Sequence, residues 1–341
     1  MSLVRFLDGE AVLQLCNARP GETKLGQVVQ CMGNFADYAE AYAAGCRFAL
    51  VGVPEQVGPT ANCGKGGAQL GWSAFLRTFL NLQANSCLSG ENILLLGEVI
   101  CDDLPATTEL GELRTQCEEI DRRLVSALKP VFAAGLTPLV IGGGHNNAYG
   151  IIRACSESGG QPLAVVNLDP HSDFRPLEGR HSGNPFRYAY QHGYLSHYAV
   201  LGLHEQKNSA DALQALREAG FPWFSIQQIC WRRELSFEQA LTTLCDYLLA
   251  SGKPLGLELD VDAISELPSS AMTFAGVNLN DALYYVHHIA SQANTQYLHL
   301  AEGAPERHPA GIEAGNRVVG QALSELVCTF IKARSEWPQH R

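Results

Sequence analysis

The chain has no long hydrophobic run: its longest apolar stretches, residues 48–53 and 93–96, are far too short to cross a bilayer as a helix. No continuous apolar stretch follows the charge at Arg5, so no signal peptide is expected and the cytoplasm is the default address. Cysteine is present but lacks a pairing pattern. The 11 cysteines, an odd number with no C-x-x-C pair, imply reduced, mostly buried thiols and argue against a zinc–thiolate site. Basic charge is scarce too: 24 Lys and Arg stand against 35 Asp and Glu, and the formal net charge of −11 argues against a nucleic-acid partner. The glycine-rich stretch at 57–72 lacks the G-x-x-x-x-G-K-[ST] pattern of a phosphate loop. Lys65 within it suits either contact with an anionic substrate or a plain surface loop.

What is present is an ordinary globular composition, 46% hydrophobic and 17% charged, over 341 residues. That length is within reach of a single α/β domain spanning 1–341. Apolar runs predict strands at 47–54, 93–99, 137–141, 163–169, 198–204, 223–226, 255–260 and 297–302. Helices are expected between them, at 121–134, 151–157, 211–219, 238–251, 281–292 and 315–333. Strands apolar on both faces, alternating with helices, predict a mainly parallel sheet covered by helices. Residues 1–45 are less regular and suggest an N-terminal arm or cap.

Three of the expected strands stop at clusters of metal-type ligands. One ends in Gly142-Gly-Gly-His145, the second in Asp169-Pro-His171-Ser-Asp173, and the third in Asp260-Val-Asp262. In open parallel sheets the carboxyl ends of strands converge on the ligand crevice, so these segments can meet. Residues at i, i+2 and i+4 share one side of an extended segment, so each cluster is expected to point at one place. A histidine after glycines is often a loop residue, and an Asp-x-Asp often a cap. All three clusters together are a different matter. Four aspartates packed together repel one another unless cations neutralise them. Four carboxylates and two imidazoles, without sulfur, suit two divalent ions such as Mn²⁺ better than a closed zinc site. Two such ions roughly 3.5 Å apart convert a shared water toward hydroxide near neutral pH.

At these residues the sequence resembles the ureohydrolase family of arginases, agmatinases and formimidoylglutamases. Their motifs G-G-x-H, D-A-H-x-D, a late D-x-D and a final glutamate stand here as Gly142–His145, Asp169–Asp173, Asp260–Asp262 and Glu302. The resemblance covers about 51–330. It implies a three-layer, arginase-like α/β/α fold with two manganese ions, and often a trimer or hexamer. It also implies that Asp169 and Asp260 bridge the ions, that His145 and Asp173 complete one site, and that His171 and Asp262 complete the other. By the same resemblance Asp262 moves a proton, and Glu302 holds the substrate amidine or guanidine.

The loop after Asp173 is most similar to that of the formimidoylglutamases. It carries Arg175, suited to a substrate carboxylate, and the segment His181-Ser182-Gly-Asn184-Pro-Phe186, whose Ser182 and Asn184 are further candidate substrate contacts. Phe186 stands where arginases usually place a histidine. Pro170, Asn184, Ser265, Pro268, Asn278, Ala304 and His308 depart from the family's usual residues, and none removes a ligand. The implied reaction is hydrolysis of N-formimidoyl-L-glutamate to L-glutamate and formamide, in histidine degradation. Alternatives are a urea-releasing hydrolase of arginine, agmatine or a guanidino acid, a non-catalytic relative serving as a binding or regulatory module, and a single-zinc amide hydrolase.

Overall fold

A computed structural model describes residues 3–336; the first two and last five residues of the expected domain lie outside it. The strands are β1 (Val4–Phe6), β2 (Gln30–Cys31), β3 (Phe48–Gly52), β4 (Ile93–Val99), β5 (Thr137–Ile141), β6 (Leu163–Leu168), β7 (Leu195–Leu203), β8 (Trp223–Ser225), β9 (Leu255–Asp260) and β10 (Thr295–Ala301). The helices are α1 (Gly9–Gln14), α2 (Tyr38–Ala43), α3 (Val57–Ala61), α4 (Gly71–Phe79), α5 (Leu110–Ala133), α6 (Asn147–Gly159), α7 (Pro185–Gln191), α8 (Ala210–Glu218), α9 (Phe237–Ala250), α10 (Leu279–Gln292) and α11 (Ile312–Ser335). All strands join one sheet in the order β1-β4-β3-β5-β10-β9-β6-β7-β8, with β2 also on β4. Every pairing is parallel except β1 with β4.

Period-two alternation divides the core. Leu139 and Ile141 of β5, Val166 and Leu168 of β6, Leu257 and Leu259 of β9, and Leu298 and Leu300 of β10 face the layer of α4, α9, α10 and α11. Val140, Val165 and Tyr297 face the opposite layer, formed by α5, α6, α7 and α8. Each fully buried leucine there contributes about 1.5–3 kcal/mol relative to an exposed one. This is the expected helix-covered parallel sheet.

β4, β5 and β9 fall on the expected residues, whereas α5 starts at Leu110 rather than 121. The short helix α4 has no expected counterpart, because the glycines before it mask an apolar stripe. Trp72, Phe75 and Phe79 of that stripe stack on one another in the core. Residues of the irregular N-terminal segment supply β1 and β2 at the sheet edge. Among the described residues no helix is long and apolar enough to cross a membrane.

All 11 cysteines are free, and burial pushes the thiols of Cys245 and Cys155 up to about 11 and about 12. Thiolate is the reactive species, so exposure and pKa both separate these from surface cysteines. Iodoacetamide at neutral pH should label Cys63, Cys87 and Cys230 in the native protein and spare Cys117, Cys155 and Cys245 until denaturant is added. Peptide mass spectrometry reads this, and prompt native labelling of the second group would contradict the burial described.

Candidate metal centre

The sheet register sets the site. Ile141, Leu300, Leu259 and Leu168 lie side by side on the adjacent strands β5, β10, β9 and β6. One step beyond that row come Gly142, Ala301, Asp260 and Asp169. β5 and β6 are consecutive in the chain but separated in the sheet by β10 and β9, so their exits diverge and open a crevice at these four ends.

His145 reaches the crevice through a turn that only glycine tolerates, with Gly142 and Gly143 at φ of 85° and 74°. A Cβ on Gly143 would lie 2.2 Å from Asn147 Nδ2 and 2.8 Å from Glu55 Oε1. Glu55, buried at the end of β3, accepts from the N–H of Gly144, from Asn147 Nδ2 and from the N–H of Gly58. His145 itself is fully buried, its ring edge-on to Phe186 at 5.3 Å.

The three expected ligand clusters meet. His145 Nδ1 lies 3.0 Å from Asp173 Oδ2, 3.2 Å from Asp169 Oδ2 and 3.4 Å from Asp260 Oδ2. None of the three makes a well-aligned hydrogen bond with that nitrogen. His171 Nδ1 sits 3.4 Å from Asp169 Oδ1 and 3.9 Å from Asp262 Oδ2. The donor atoms form two groups that share Asp260, one with His145, Asp169 and Asp173, the other with His171 and Asp262.

Convergence is achieved differently from the extended geometry read in the sequence. Asp173 has φ of 44°, and Asp169 Oδ1 accepts from the N–H of His171 at 2.6 Å, which is a turn. Asp262 lies in a short 3₁₀ turn and its N–H donates to Asp260 Oδ1 at 2.7 Å. Asn208 clamps the first turn, accepting from the N–H of Ser172 and donating to the carbonyls of Pro170 and His204.

The electrostatics call for cations. Burial, then Asp262 and Asp169, push the Asp260 carboxyl well above its ordinary range. Burial and Asp169 push Asp173 up to about 6. Glu302 is pushed well up by burial and by Asp260 and Asp262. Its Oε1 accepts from the N–H of His145 at 2.8 Å, while Oε2 is buried without a well-formed hydrogen bond. Oxygen-rich sets with one imidazole each, and no thiol among them, fit a pair of hard-to-borderline divalent ions.

A cavity of about 700 Å³ opens over the centre, lined by the buried Asp260, Asp262, Glu302 and Ser182, by His171, and by the exposed Arg175 and Lys207. Arg175 is half-exposed, its guanidinium bonded to Asn62 Oδ1 and Glu178 Oε1. Asn184 is not in the cavity lining. Its amide is spent inside the loop, accepting from Arg180 and donating to the carbonyls of Pro176 and Gly179. Lys65 is exposed and likewise absent from that lining.

The loop hangs on a residue the motifs did not single out. Arg180, 2% exposed, donates to both oxygens of Asp121, to the carbonyls of Asn146 and His181, and to Asn184 Oδ1. All five guanidinium protons are thereby used. Sequence offered one signal for this pair, a charged residue on the apolar face of α5.

The family model described as Arginase family matches residues 46–327. The formimidoylglutamase of Streptococcus gordonii is 26% identical over 318 residues, covering 85% of this chain and 88% of that protein. Among solved structures, formimidoylglutamase from Bacillus subtilis aligns with a TM-score of 0.76 at 18% identity, over 94% of this chain and 95% of that one. Formiminoglutamase from Trypanosoma cruzi with Mn²⁺ aligns with a TM-score of 0.71 at 20% identity, over 93% and 100%. The two structural likenesses speak for the fold.

Removing one partner of a buried ion pair strands the other charge. Arg180→Met should therefore cost about 3–5 kcal/mol of unfolding free energy in a urea titration. Arg180→Met combined with Asp121→Leu should recover most of that. A loss below about 1 kcal/mol in the single variant would mean the pair does not anchor the loop.

Proposed function

Because the chain belongs to the arginase family, we propose that it is a manganese-dependent hydrolase that converts N-formimidoyl-L-glutamate to L-glutamate and formamide. The observation that carries this reading is the charge of the cavity lining: the buried carboxylates Asp260, Asp262 and Glu302, the last with Oε2 lacking a well-formed hydrogen bond, and the half-exposed Arg175 guanidinium. A substrate with a cationic amidine and a carboxylate at the far end of its side chain matches both charges. The name borne by the Streptococcus gordonii relative supports the same substrate.

His145 and Asp173 would hold one ion, His171 and Asp262 the other, with Asp169 and Asp260 shared. Two ions so held supply Lewis acidity and bring water toward deprotonation near neutral pH. Glu302 would accept N–H bonds from the amidinium, a charge-assisted pairing fixed in direction because Oε1 is tethered to the His145 N–H. Asp262, whose Oδ1 accepts from the N–H of Ala271, would take a proton from the attacking water and return it to the leaving nitrogen of glutamate. Water then adds its hydroxyl to the amidine carbon, and the carbon–nitrogen bond to glutamate breaks. Arg175 would bind a carboxylate, with Ser182 beside it. Asn184, turned inward, would shape that loop rather than touch substrate.

On this reading the chain acts in the cytoplasm, in histidine degradation, on a small molecule without nucleic-acid or membrane partners. Assembly as a trimer or hexamer is what the family resemblance implies.

The Mn²⁺-loaded protein should turn over formimidoylglutamate in preference to arginine, agmatine or guanidinobutyrate, read as formamide, urea or ammonia release. Asp260→Ala should abolish turnover. Arg175→Ala should raise KM about 10–100-fold, corresponding to loss of a charged hydrogen bond of about 1.5–3 kcal/mol. Urea release from a guanidine substrate would overturn the substrate assignment and leave the metal reading standing.

Chelation gives a check independent of substrate. Stripping the ions with EDTA should lower the melting temperature, and Mn²⁺ should restore it, because ligand binding to the folded state adds stability. An unchanged melting curve would contradict a metal centre here.

A further inference from the structure

Two residues inward from the ligand row, three polar side chains sit where the sheet is otherwise apolar. Asn167 of β6, Glu258 of β9 and His299 of β10 are paired in register across three adjacent strands, and all are fully buried. Alternation turns them toward the α5–α6 layer, the same side as Asp169 and Asp260. Asn167 Nδ2 donates to Asp169 Oδ2 at 3.0 Å, so one member already holds a ligand in place.

Glu258 is the more telling of the three. Its Oε1 accepts from the Tyr297 hydroxyl at 2.7 Å. Tyr297 reaches it across Gly256, where a Cβ would lie 2.5 Å from the tyrosine oxygen. Oε2 is 2.6 Å from His299 Nδ1 and 3.3 Å from His145 Nε2. The imidazole of His145 thus has one nitrogen on Glu258 and the other among the carboxylates of Asp169, Asp173 and Asp260. A ring proton on Nε2, taken by Glu258, leaves the Nδ1 lone pair free for a cation.

We propose that Glu258 is the positioning residue of the metal centre, accepting the Nε2–H of His145 and thereby aiming Nδ1 at the ion site, with His299 and Tyr297 fixing the carboxylate. The inference rests on the reading of His145 as a metal ligand. His145, Glu258 and His299 are close enough to suggest a third cation site. Oε2 at 2.6 Å from His299 Nδ1 leaves no room for an ion between them.

The test is Mn²⁺ titration by calorimetry on the full chain, with electron paramagnetic resonance of the loaded protein. Glu258→Met keeps the volume and removes both acceptors. It should weaken one of the two ions about 10–100-fold, leave the other at wild-type affinity, and replace a spin-coupled manganese pair by a single-ion spectrum at limiting metal. Glu258→Gln keeps one oxygen and should restore most of the affinity, which a role in packing alone would not require. If Glu258→Met does not fold, Glu258→Gln still decides: a small loss confined to the ion that His145→Ala also loses supports the acceptor role, and loss of both ions together, or no loss at all, overturns selective action on His145. Wild-type affinity for both ions in folded Glu258→Met, or a third ion per chain, overturns the proposal. His145→Ala separates the two levels: it should lose the same ion, and if it keeps both, the assignment of His145 as a ligand fails with it.

Discussion

Like charges at close range govern this structure. Asp169, Asp173, Asp260, Asp262 and Glu302 are gathered, nearly or fully buried, at the ends of neighbouring strands. Burial works against the ionised forms and pushes the Asp173, Asp260, Asp262 and Glu302 carboxyls up, while His145 and His171 hold Asp169 down at about 2. The arrangement is stable as carboxylates only with cations among them, and the chain supplies just two imidazoles to the group. The surrounding fold can be understood as what is needed to hold that cluster in one geometry. Backbone N–H groups of His171, Asp262, Ala271 and His145 each donate to one of its carboxylates, which sets oxygen positions before any ion arrives.

Rigidity comes from two sources of opposite chemistry. On the face toward α4 and α11 the strands present leucine, isoleucine and valine, whose contribution is burial. On the other face, close to the site, the sheet carries Asn167, Glu258 and His299, and the turn before His145 is tied to Glu55. A buried polar group without a partner costs free energy, so such residues persist only where their hydrogen bonds are made. Here Asn167 bonds Asp169, Glu258 lies against His145, and Glu55 bonds the Gly144 N–H beside it, which ties the clustered side chains to the stiff sheet.

The substrate side is built with looser material. Arg175 and Glu178 pair in partial exposure, where an ion pair contributes little. Beneath them the Arg180–Asp121 pair is fully enclosed, with Tyr149 and Tyr188 flanking the guanidinium at 4.8 and 5.0 Å. Phe186, in place of a proton-carrying histidine, packs on His145 and Tyr198 and adds no titrating group at that point. A firm root under an adaptable rim is a reasonable way to recognise a flexible dicarboxylate while keeping the reacting end fixed.

How much of this could be read in advance depended on range in the chain. The parallel α/β plan was legible because buried strands such as β5, β6 and β9 are apolar runs bounded by turns, a local signal. The clustered ligands were legible because acidic residues and histidine at the exits of such strands have few other reasons to be there. The extended geometry expected for Asp169 to Asp173 was not what folded, since Asp169 bonds its own neighbour's N–H and bends the segment. Asn184 was expected at the substrate and is turned inward by Arg180, a contact no pattern announces. Glu258, His299 and Asn167 each stood in view as a polar residue just inside a buried strand end, yet only the register of β6, β9 and β10 makes them one row. Sequence alone determined β3 to β10, the candidate ligand types and the family, because these follow from periodicity and from motifs within a few residues. Tertiary structure decided which candidate ligands come together, what holds them, and which loop residues line the cavity, because those depend on strand order and register, which bring together groups more than a hundred residues apart.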